Sequence, residues 1–482
     1  MSFLRDLTHH TTLAAQTLWD ASSRLVYPGL RLGVTGLSRS GKTVFTTALI
    51  HNLMNNGSLP AFHAAARNAI RRTQLIAQPD VTIPRFPFED YLNSLIRERK
   101  WPPSTERISE LRLNLEYMSS SSWTSSPSYL TLDIVDYPGE WLLDLTLLDQ
   151  DYRSWSLKTL ENAQRPDRKN LAHDWLDAMK NISASDTVDE AKISHLCNLF
   201  KSYLKNLRNG PEAIAVTPPG RFLMPGDLAG SPALTFFPIP IAASEAIGEN
   251  GLASLMDQRF EAYKDHVVKP FFRDHFQRID RQIVLVDILA ALDEGITALR
   301  ELESAIDNVL LAFRIGKRSL FSSLFSPRAD KILFAATKAD HIHHDYHGRL
   351  NAILNLLVSR AIQRSRGSGA EVGTLALASV RATKEKTVTD HGEILKAIAG
   401  IPETGERVGE QIFDGQAEVI IFPGDIPEQA QDVFSGSIPP GSLRFPRFRP
   451  PVISEHILTN NAVIPHIRLD KALEFLIGDY LT

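Results

Sequence analysis

A single cysteine in 482 residues removes the intramolecular disulfide from consideration, and so thiol-poor a chain fits a reducing compartment. Cys197 falls in an apolar, helix-compatible run and reads as an inert core residue. No apolar run reaches the ~18 residues of a transmembrane span. The first ten residues, MSFLRDLTHH, lack the basic start and apolar core of a signal peptide. A cytoplasmic protein without a transmembrane segment is therefore expected. The 52 Lys plus Arg against 56 Asp plus Glu leave a net charge of −4, which gives no global electrostatic reason to bind DNA or an acidic membrane. No internal repeat and no metal-ligand cluster is visible, and His341, His343 and His344 read as a solvated loop group.

What the chain does have is length and a 43% hydrophobic composition, enough for a large core in roughly two to four domains. Near its start stands Arg31-Leu-Gly-Val-Thr-Gly36-Leu-Ser-Arg39-Ser-Gly41-Lys42-Thr43, an apolar run, a Gly-rich turn and then Lys-Thr opening a helical pattern. This is the P-loop spacing. Backbone N–H groups at a helix N-terminus cradle phosphate, and glycine permits the torsions and close approach that such a loop needs. Lys42 is expected to reach the β- and γ-phosphates and Thr43 to coordinate Mg²⁺. Gly36, Ser38, Arg39, Ser40, Gly41, Lys42, Thr43 and Val44 form the expected cradle. Leu30–Val34 suits a buried strand and Val44–Met54 a helix packed on a sheet. Upstream, Thr12–Leu25 reads as an amphipathic helix packed on the following domain rather than on a membrane, since its polar face is not basic.

Residues 56–105 are polar and mostly helix-compatible, ending in Lys100-Trp-Pro-Pro-Ser-Thr105. Thr105 is the best candidate for a switch residue that contacts Mg²⁺ only while a γ-phosphate is present; the plainer reading is a cap after the two prolines. Leu111–Tyr117 alternates like a half-buried strand, and a Ser-rich hairpin turn leads to Tyr129-Leu-Thr-Leu-Asp-Ile-Val-Asp136-Tyr-Pro-Gly139-Glu140. A strand ending in Asp136 fits a carboxylate holding Mg²⁺ through its water shell, with Gly139 offering an N–H to the γ-phosphate.

The strand-helix rhythm breaks at residues 141–280, where Leu142–Leu148, Leu171–Met179, Ile193–Leu207 and Gly251–Phe276 read as helices of an insertion. It resumes with the strand Gln282–Asp287 and with Lys331-Ile-Leu-Phe-Ala-Ala-Thr337-Lys338-Ala-Asp340. There Asp340 could accept from the N1–H and exocyclic amine of guanine, donors that adenine does not offer, while the Lys338 stem lies along the base. A helix over Leu350–Gln363 and a strand from Gly373 follow, and Ser379 and Val380 stand in a loop whose N–H groups could meet the guanine carbonyl. Ala417–Pro423 is expected to extend the sheet or to pair at its edge. The Arg444-Phe-Pro-Arg447-Phe-Arg449 stretch fits an extended segment packed over the domain better than an RNA or lipid site. Leu469–Leu481 closes the chain with an amphipathic helix. The predicted parts are residues 1–140 with the P-loop and switches, 141–280 as the helical insertion, and 281–482 with the base motif and a C-terminal extension.

The order of these motifs resembles the GTPase class of P-loop proteins. Gly-Leu-Ser-Arg-Ser-Gly-Lys-Thr, Trp101-Pro-Pro-Ser-Thr, Asp136-Tyr-Pro-Gly-Glu-Trp141 and Arg221-Phe-Leu-Met-Pro-Gly-Asp are similar to the bacterial stress-induced YcjX family over nearly the whole chain. That resemblance implies an α/β P-loop GTPase core with a mainly parallel sheet and a helical insertion, in a GTP-binding protein tied to a stress response. Two positions depart from the common small GTPases. Glu140 stands where many carry a water-orienting Gln, and Thr337 replaces the usual Asn, with a hydroxyl expected to substitute in part for the amide bridge to the P-loop. Arg39 is similarly placed to the P-loop Arg of guanylate-binding and atlastin GTPases, which turns in during hydrolysis; the plainer reading is a solvent-facing Arg.

The expected activity is Mg²⁺-dependent hydrolysis of GTP to GDP and phosphate, with Lys42, Arg39, Thr105 and Gly139 in catalytic roles and Thr43, Thr105 and Asp136 around the metal. Guanine nucleotide and an unidentified protein effector are the expected partners, and dimerisation is open. Two competitors are a slow nucleotide-dependent scaffold, which Glu140 favours, and an ATPase or kinase, which Asp340 opposes.

Overall fold

The computed structural model describes residues 29–36, 40–55, 59–119, 126–209, 218–241, 247–248, 251–312, 329–364, 370–436, 438–439, 441–453 and 463–482. The amphipathic Thr12–Leu25 stretch lies outside these residues. The main sheet contains seven strands: β1 (Gly29–Gly36), β2 (Ile70–Ile76), β3 (Ser109–Tyr117), β4 (Ser128–Asp136), β5 (Arg281–Val286), β6 (Lys331–Ala336) and β7 (Glu371–Ala376). Their order is β2-β3-β4-β1-β5-β6-β7. β4, β1, β5, β6 and β7 run parallel, while β3 pairs antiparallel with both β2 and β4. The sheet is thus α/β and mostly parallel.

Two layers of helix cover it. Along β5 and β6 the side chains alternate between faces, as a period of two requires. Val284, Val286, Ile332 and Phe334 join one core with α7 (Ile288–Glu294), α8 (Ile296–Ala312) and α9 (His347–Arg364), and Ile283, Leu285, Leu333 and Ala335 join the other with α1 (Lys42–Met54) and α10 (Leu469–Ile477). Between β4 and β5 the described residues form helices and no strand: α2 (Glu140–Asp144), α3 (Tyr152–Ala163), α4 (His173–Met179), α5 (Glu190–Asn209) and α6 (Leu252–Tyr263), the last continuing through a π turn to Asp274. The aromatic residues of this region, Trp155, Trp175, Phe200, Phe236 and Phe260, belong to the same continuous core as Val284 and Phe334. The insertion is packed onto one face of the sheet. Among the described residues no helix is long and apolar enough to cross a membrane.

Two features differ from the sequence expectation and a third agrees with it. The polar stretch 56–105 contains β2, whose Arg71 and Arg72 point outward and hide its strand character. The Ala417–Pro423 run contributes β12 (Val419–Ile421) to a separate antiparallel sheet with β8 (Lys384–Asp390) and β9 (Glu393–Gly400), in the order β12-β9-β8. A short ribbon of β10 (Arg407–Val408) and β11 (Gln411–Ile412) adjoins it in the chain. Finally, the Arg444–Arg449 segment lies extended, with Pro402 and Phe448 bridged antiparallel, so it is the packed strap that the sequence favoured.

Charged residues cross the buried middle of the sheet. Arg31 lies opposite Asp133, and Asp133 opposite Arg112, whose guanidinium Nη2 donates to it at 2.7 Å. Glu110 is fully buried with Arg31 Nη2 3.3 Å away, and burial, only partly offset by Arg31, pushes its carboxyl up to about 7 from an ordinary 4.5. A carboxyl raised on folding holds a proton that the unfolded chain has lost, so its stabilisation is complete below pH 4.5 and is lost as pH rises through 7. Asp136 and Asp144 complete the same change near pH 6. Glu110→Gln is therefore expected to flatten the fall in urea-denaturation stability between pH 6 and 7.5; an unaltered fall would assign that titration to another group.

Candidate functional site

The C-terminal ends of the parallel strands meet at one cavity of about 490 Å³. At its phosphate-type end, β1 finishes at Gly36 and α1 begins after Gly41, whose φ of 81° is in the left-handed region that glycine enters without strain. Ser38 and Arg39 lie outside the described residues. Lys42 is buried and curls back so that its ammonium donates to the Gly36 carbonyl at 3.1 Å. The buried Ser40 hydroxyl has no hydrogen-bond partner.

Three oxygen-bearing side chains converge beside it. Thr43 Oγ1 donates to the Pro103 carbonyl at 3.0 Å and lies 3.2 Å from Thr105 Oγ1, and the Thr105 hydroxyl donates to Asp136 Oδ2 at 2.8 Å. Asp136 Oδ1 is buried with no hydrogen-bond partner. Burial raises the Asp136 carboxyl to about 6, against the pull of the Lys42 ammonium and the Thr105 hydroxyl. Hard oxygens from Thr, Thr and Asp, one of them orphaned, suit Mg²⁺. The residues present therefore fit that ion.

Asp-x-x-Gly packs directly on the P-loop. Tyr137 N–H donates to the Val34 carbonyl at 3.3 Å, and a Cβ on Gly139 would collide with the Gly36 carbonyl oxygen. Glu140 turns away toward the insertion. Its carboxylate is 1% exposed, accepts no hydrogen bond, and faces Arg208 Nε of α5 at 3.5 Å. One turn on, Asp144 accepts from Gly220 N at 2.6 Å, Arg221 N at 3.2 Å and Tyr263 OH at 2.6 Å. The Arg221 guanidinium stacks over Trp141, 3.2 Å from its ring centre. Two buried carboxylates thus fasten α2 to the insertion.

At the other end, β6 leads into Thr337, whose N–H and hydroxyl both donate to the Val286 carbonyl, at 2.9 and 3.3 Å. The hydroxyl therefore makes no bridge to the described part of the P-loop, contrary to the substitution suggested by sequence. Lys338, at φ 59°, donates to the Asp287 carboxylate. Asp340 is buried; Oδ2 accepts from Ala382 N at 2.8 Å and its carbonyl from the Thr383 hydroxyl. Ser379 and Val380 line the same cavity. The loop that carries them is anchored to the C-terminal segment, where Ala378 N donates to the Ile467 carbonyl at 3.0 Å and Arg381 N to that of Pro465 at 2.7 Å.

Ser40, Gly41, Lys42, Thr43, Val44, Thr105, Lys338, Asp340, Ser379 and Val380 thus share one cavity. Asp136 joins it through Thr105, and Gly36 and Gly139 through Lys42 and each other. Sequence reasoning missed Asp287 and the C-terminal wall of Phe445, Arg447 and Phe448. Asp287 had a local signal, an acid closing a strand beside the base motif; the wall was expected to pack over the domain, but nothing in its sequence put it at the cavity. The histidine reading needs correction as well. His341 and His343 are buried, which lowers the pKa of both, and only His344 is exposed. His343, His344 and Asp345 gather their ligand atoms within 4.8 Å. Lys396 pairs with Asp345 there and Glu385 with His344, so the group balances its own charge.

Gly139→Ala is expected to destabilise the protein by about 1–3 kcal/mol, because its clash is with backbone that no rotamer change relieves. A chemical denaturation midpoint equal to that of the parent protein would refute the close packing.

The YcjX-like family matches residues 30–481. "Ras-like GTPase YcjX" of Escherichia coli (strain K12) is 38% identical over 476 residues, covering 94% of this chain and 96% of that protein. "Ras-like GTPase YcjX" of Shewanella oneidensis (strain MR-1) is 31% identical over 505 aligned positions that cover both chains completely.

Proposed function

The chain belongs to the YcjX-like family, and on that footing we propose that it is a Mg²⁺-dependent GTPase, hydrolysing GTP to GDP and phosphate. The observation that carries this reading is the convergence of Lys42, Thr43 and Thr105 with Asp340 and Ser379 on one cavity of nucleotide size. The relatives' names support it.

Thr43, Thr105 and Asp136 would hold the ion, which would supply positive charge against the β- and γ-phosphate oxygens. Lys42 sets its ammonium against the same oxygens, and the Gly139 N–H meets the γ-phosphate. Asp340 takes the guanine N1–H and amine, and Ala382 N–H fixes its carboxylate in place. Water attacks the γ-phosphorus, the bond to the bridging oxygen breaks, and GDP leaves. Arg39 turns in to neutralise the developing charge, an effect of ~10³–10⁵ in rate for an arginine finger.

The output is movement of the insertion. Closure around Thr105 and Asp136 shifts α2, and Glu140 and Asp144 pass that shift to α5, Gly220 and Tyr263. The stress-response setting and a cytoplasmic location belong to the same proposal, with a protein effector reading the insertion. A second reading is favoured by one observation: Glu140 is committed to Arg208, so no side chain from that position orients water. A scaffold that hydrolyses slowly is consistent with it.

Phosphate release from GTP and ATP, side by side with Mg²⁺, tests the reading. GTP turnover well above ATP turnover is expected, and equal rates would overturn the assignment of Asp340. Asp340→Asn should weaken GTP binding by about a hundredfold or more, since two hydrogen bonds to a charged acceptor are worth ~1.5–3 kcal/mol each. Arg39→Ala should keep nucleotide affinity and lose most turnover; full turnover would refute its role. Glu140→Gln should leave GTP affinity within threefold while uncoupling the insertion, read as equal hydrogen exchange of α5 with GDP and with a non-hydrolysable GTP analogue. Retention of a nucleotide-dependent difference would refute the coupling.

A further inference from the structure

The Trp101-Pro-Pro motif finds no use in the chemistry above, and the C-terminal wall has no counterpart in the sequence motifs. They touch each other. The Trp101 indole N–H donates to the Phe448 carbonyl at 2.7 Å, and the Arg99 guanidinium donates to the Pro450 carbonyl at 3.1 and 3.3 Å. The strap is itself fixed: Glu403 N donates to Arg447 O and Arg449 N to Ile401 O, both at 2.7 Å. The Phe448 ring is 1% exposed and meets His341, next to Asp340, edge-on at 5.2 Å and 87°.

Downstream of Trp101 come two prolines, each with φ locked near −65° and no N–H to give away. Such a dipeptide transmits position instead of absorbing it. Its far end is the Pro103 carbonyl that receives Thr43 Oγ1, and two residues later stands Thr105 on Asp136. The segment is therefore held at both ends, by the strap on one side and by the ion-binding oxygens on the other.

We propose that Trp101 is a positioning residue through which the C-terminal strap Leu443–Pro450 presets Thr105 for a γ-phosphate. The inference rests on the GTPase reading and adds to it a part of the chain that carries no nucleotide motif. A ligand with a γ-phosphate must find Thr105 in place, whereas GDP does not; a preset segment spares the triphosphate the cost of ordering it. The strap therefore discriminates between the two nucleotides without touching the phosphate.

The test uses the full chain with Trp101→Phe, which keeps a ring and deletes the donor, and Arg99→Asn, because Asn accepts the left-handed backbone at that position. The first readout is amide hydrogen exchange at Ser104–Arg107 in nucleotide-free protein, the prolines having no amide to report. Loss of the neutral Trp101 bond should speed it about three- to tenfold, and loss of the charged Arg99 donor by at least as much. The second readout is the affinity ratio of GTPγS to GDP, which should fall by a similar factor in both variants. Exchange and ratio both equal to the parent's would overturn the proposal, as would a fall in GDP affinity that matches the fall for GTPγS, since that marks a merely structural role. A parent protein that binds adenine and guanine nucleotides equally would defeat the GTPase reading, while the exchange measurement would still decide the strap.

Discussion

A carboxylate at the end of β4, sealed from water and with one oxygen lacking a hydrogen bond, sets the terms for everything around it. Burying an ionised carboxyl is costly unless cations and donors compensate. Here the compensation is assembled from two separated stretches, the Lys42 ammonium from the P-loop and the Thr105 hydroxyl from the segment before β3, and it leaves Oδ1 for a divalent ion to satisfy. Because Asp136 cannot reach out, its partners must come in. This is why the chain after it presses so closely on β1 that Gly139 tolerates no side chain against Gly36.

The parallel sheet makes this meeting possible. β1, β5, β6 and β7 all deliver their C-terminal ends to the same edge, the usual place for a ligand crevice in an open α/β sheet. One end of the crevice carries Lys42, Thr43 and Thr105, and the other Lys338, Asp340 and Ser379. The insertion shares its core with one face of the sheet. Its coupling to α2 therefore needs no hinge of its own, because Glu140 and Asp144 are already buried in contact with it.

How much of this could be read in the sequence depended on the range of the interaction. Gly36 to Thr43, Asp136 to Gly139 and Thr337 to Asp340 were legible because each encodes a strand end and its loop within a few residues. The fold class followed from their order. β2 was not legible, since Arg71 and Arg72 occupy its outward positions, and neither was the β8–β9 hairpin, where Lys, Thr and Asp fill the exposed sites of β8. The direction of Glu140 was hidden because it depends on Arg208 from another helix. The Trp101 contact with Phe448 spans 347 residues, and no local pattern announces a bond of that reach.

The two segments around Asp136 are tied to different parts of the chain. The segment carrying Thr105 is held by the strap through the neutral Trp101 bond, worth about 0.5–1.5 kcal/mol net, and through the half-buried Arg99 guanidinium. The α2 segment is held by the insertion, through a carboxylate with three hydrogen bonds and a second facing Arg208. The ties therefore differ in burial: the strap side is partly open to water, while the insertion side is buried and charged. A buried charge that loses its partner costs more than a neutral bond returned to water. Any ligand that draws both segments together will thus adjust the Thr105 side first, and moves α2 only where the insertion moves with it. In this arrangement a change at the phosphate end cannot stay local once it reaches Glu140.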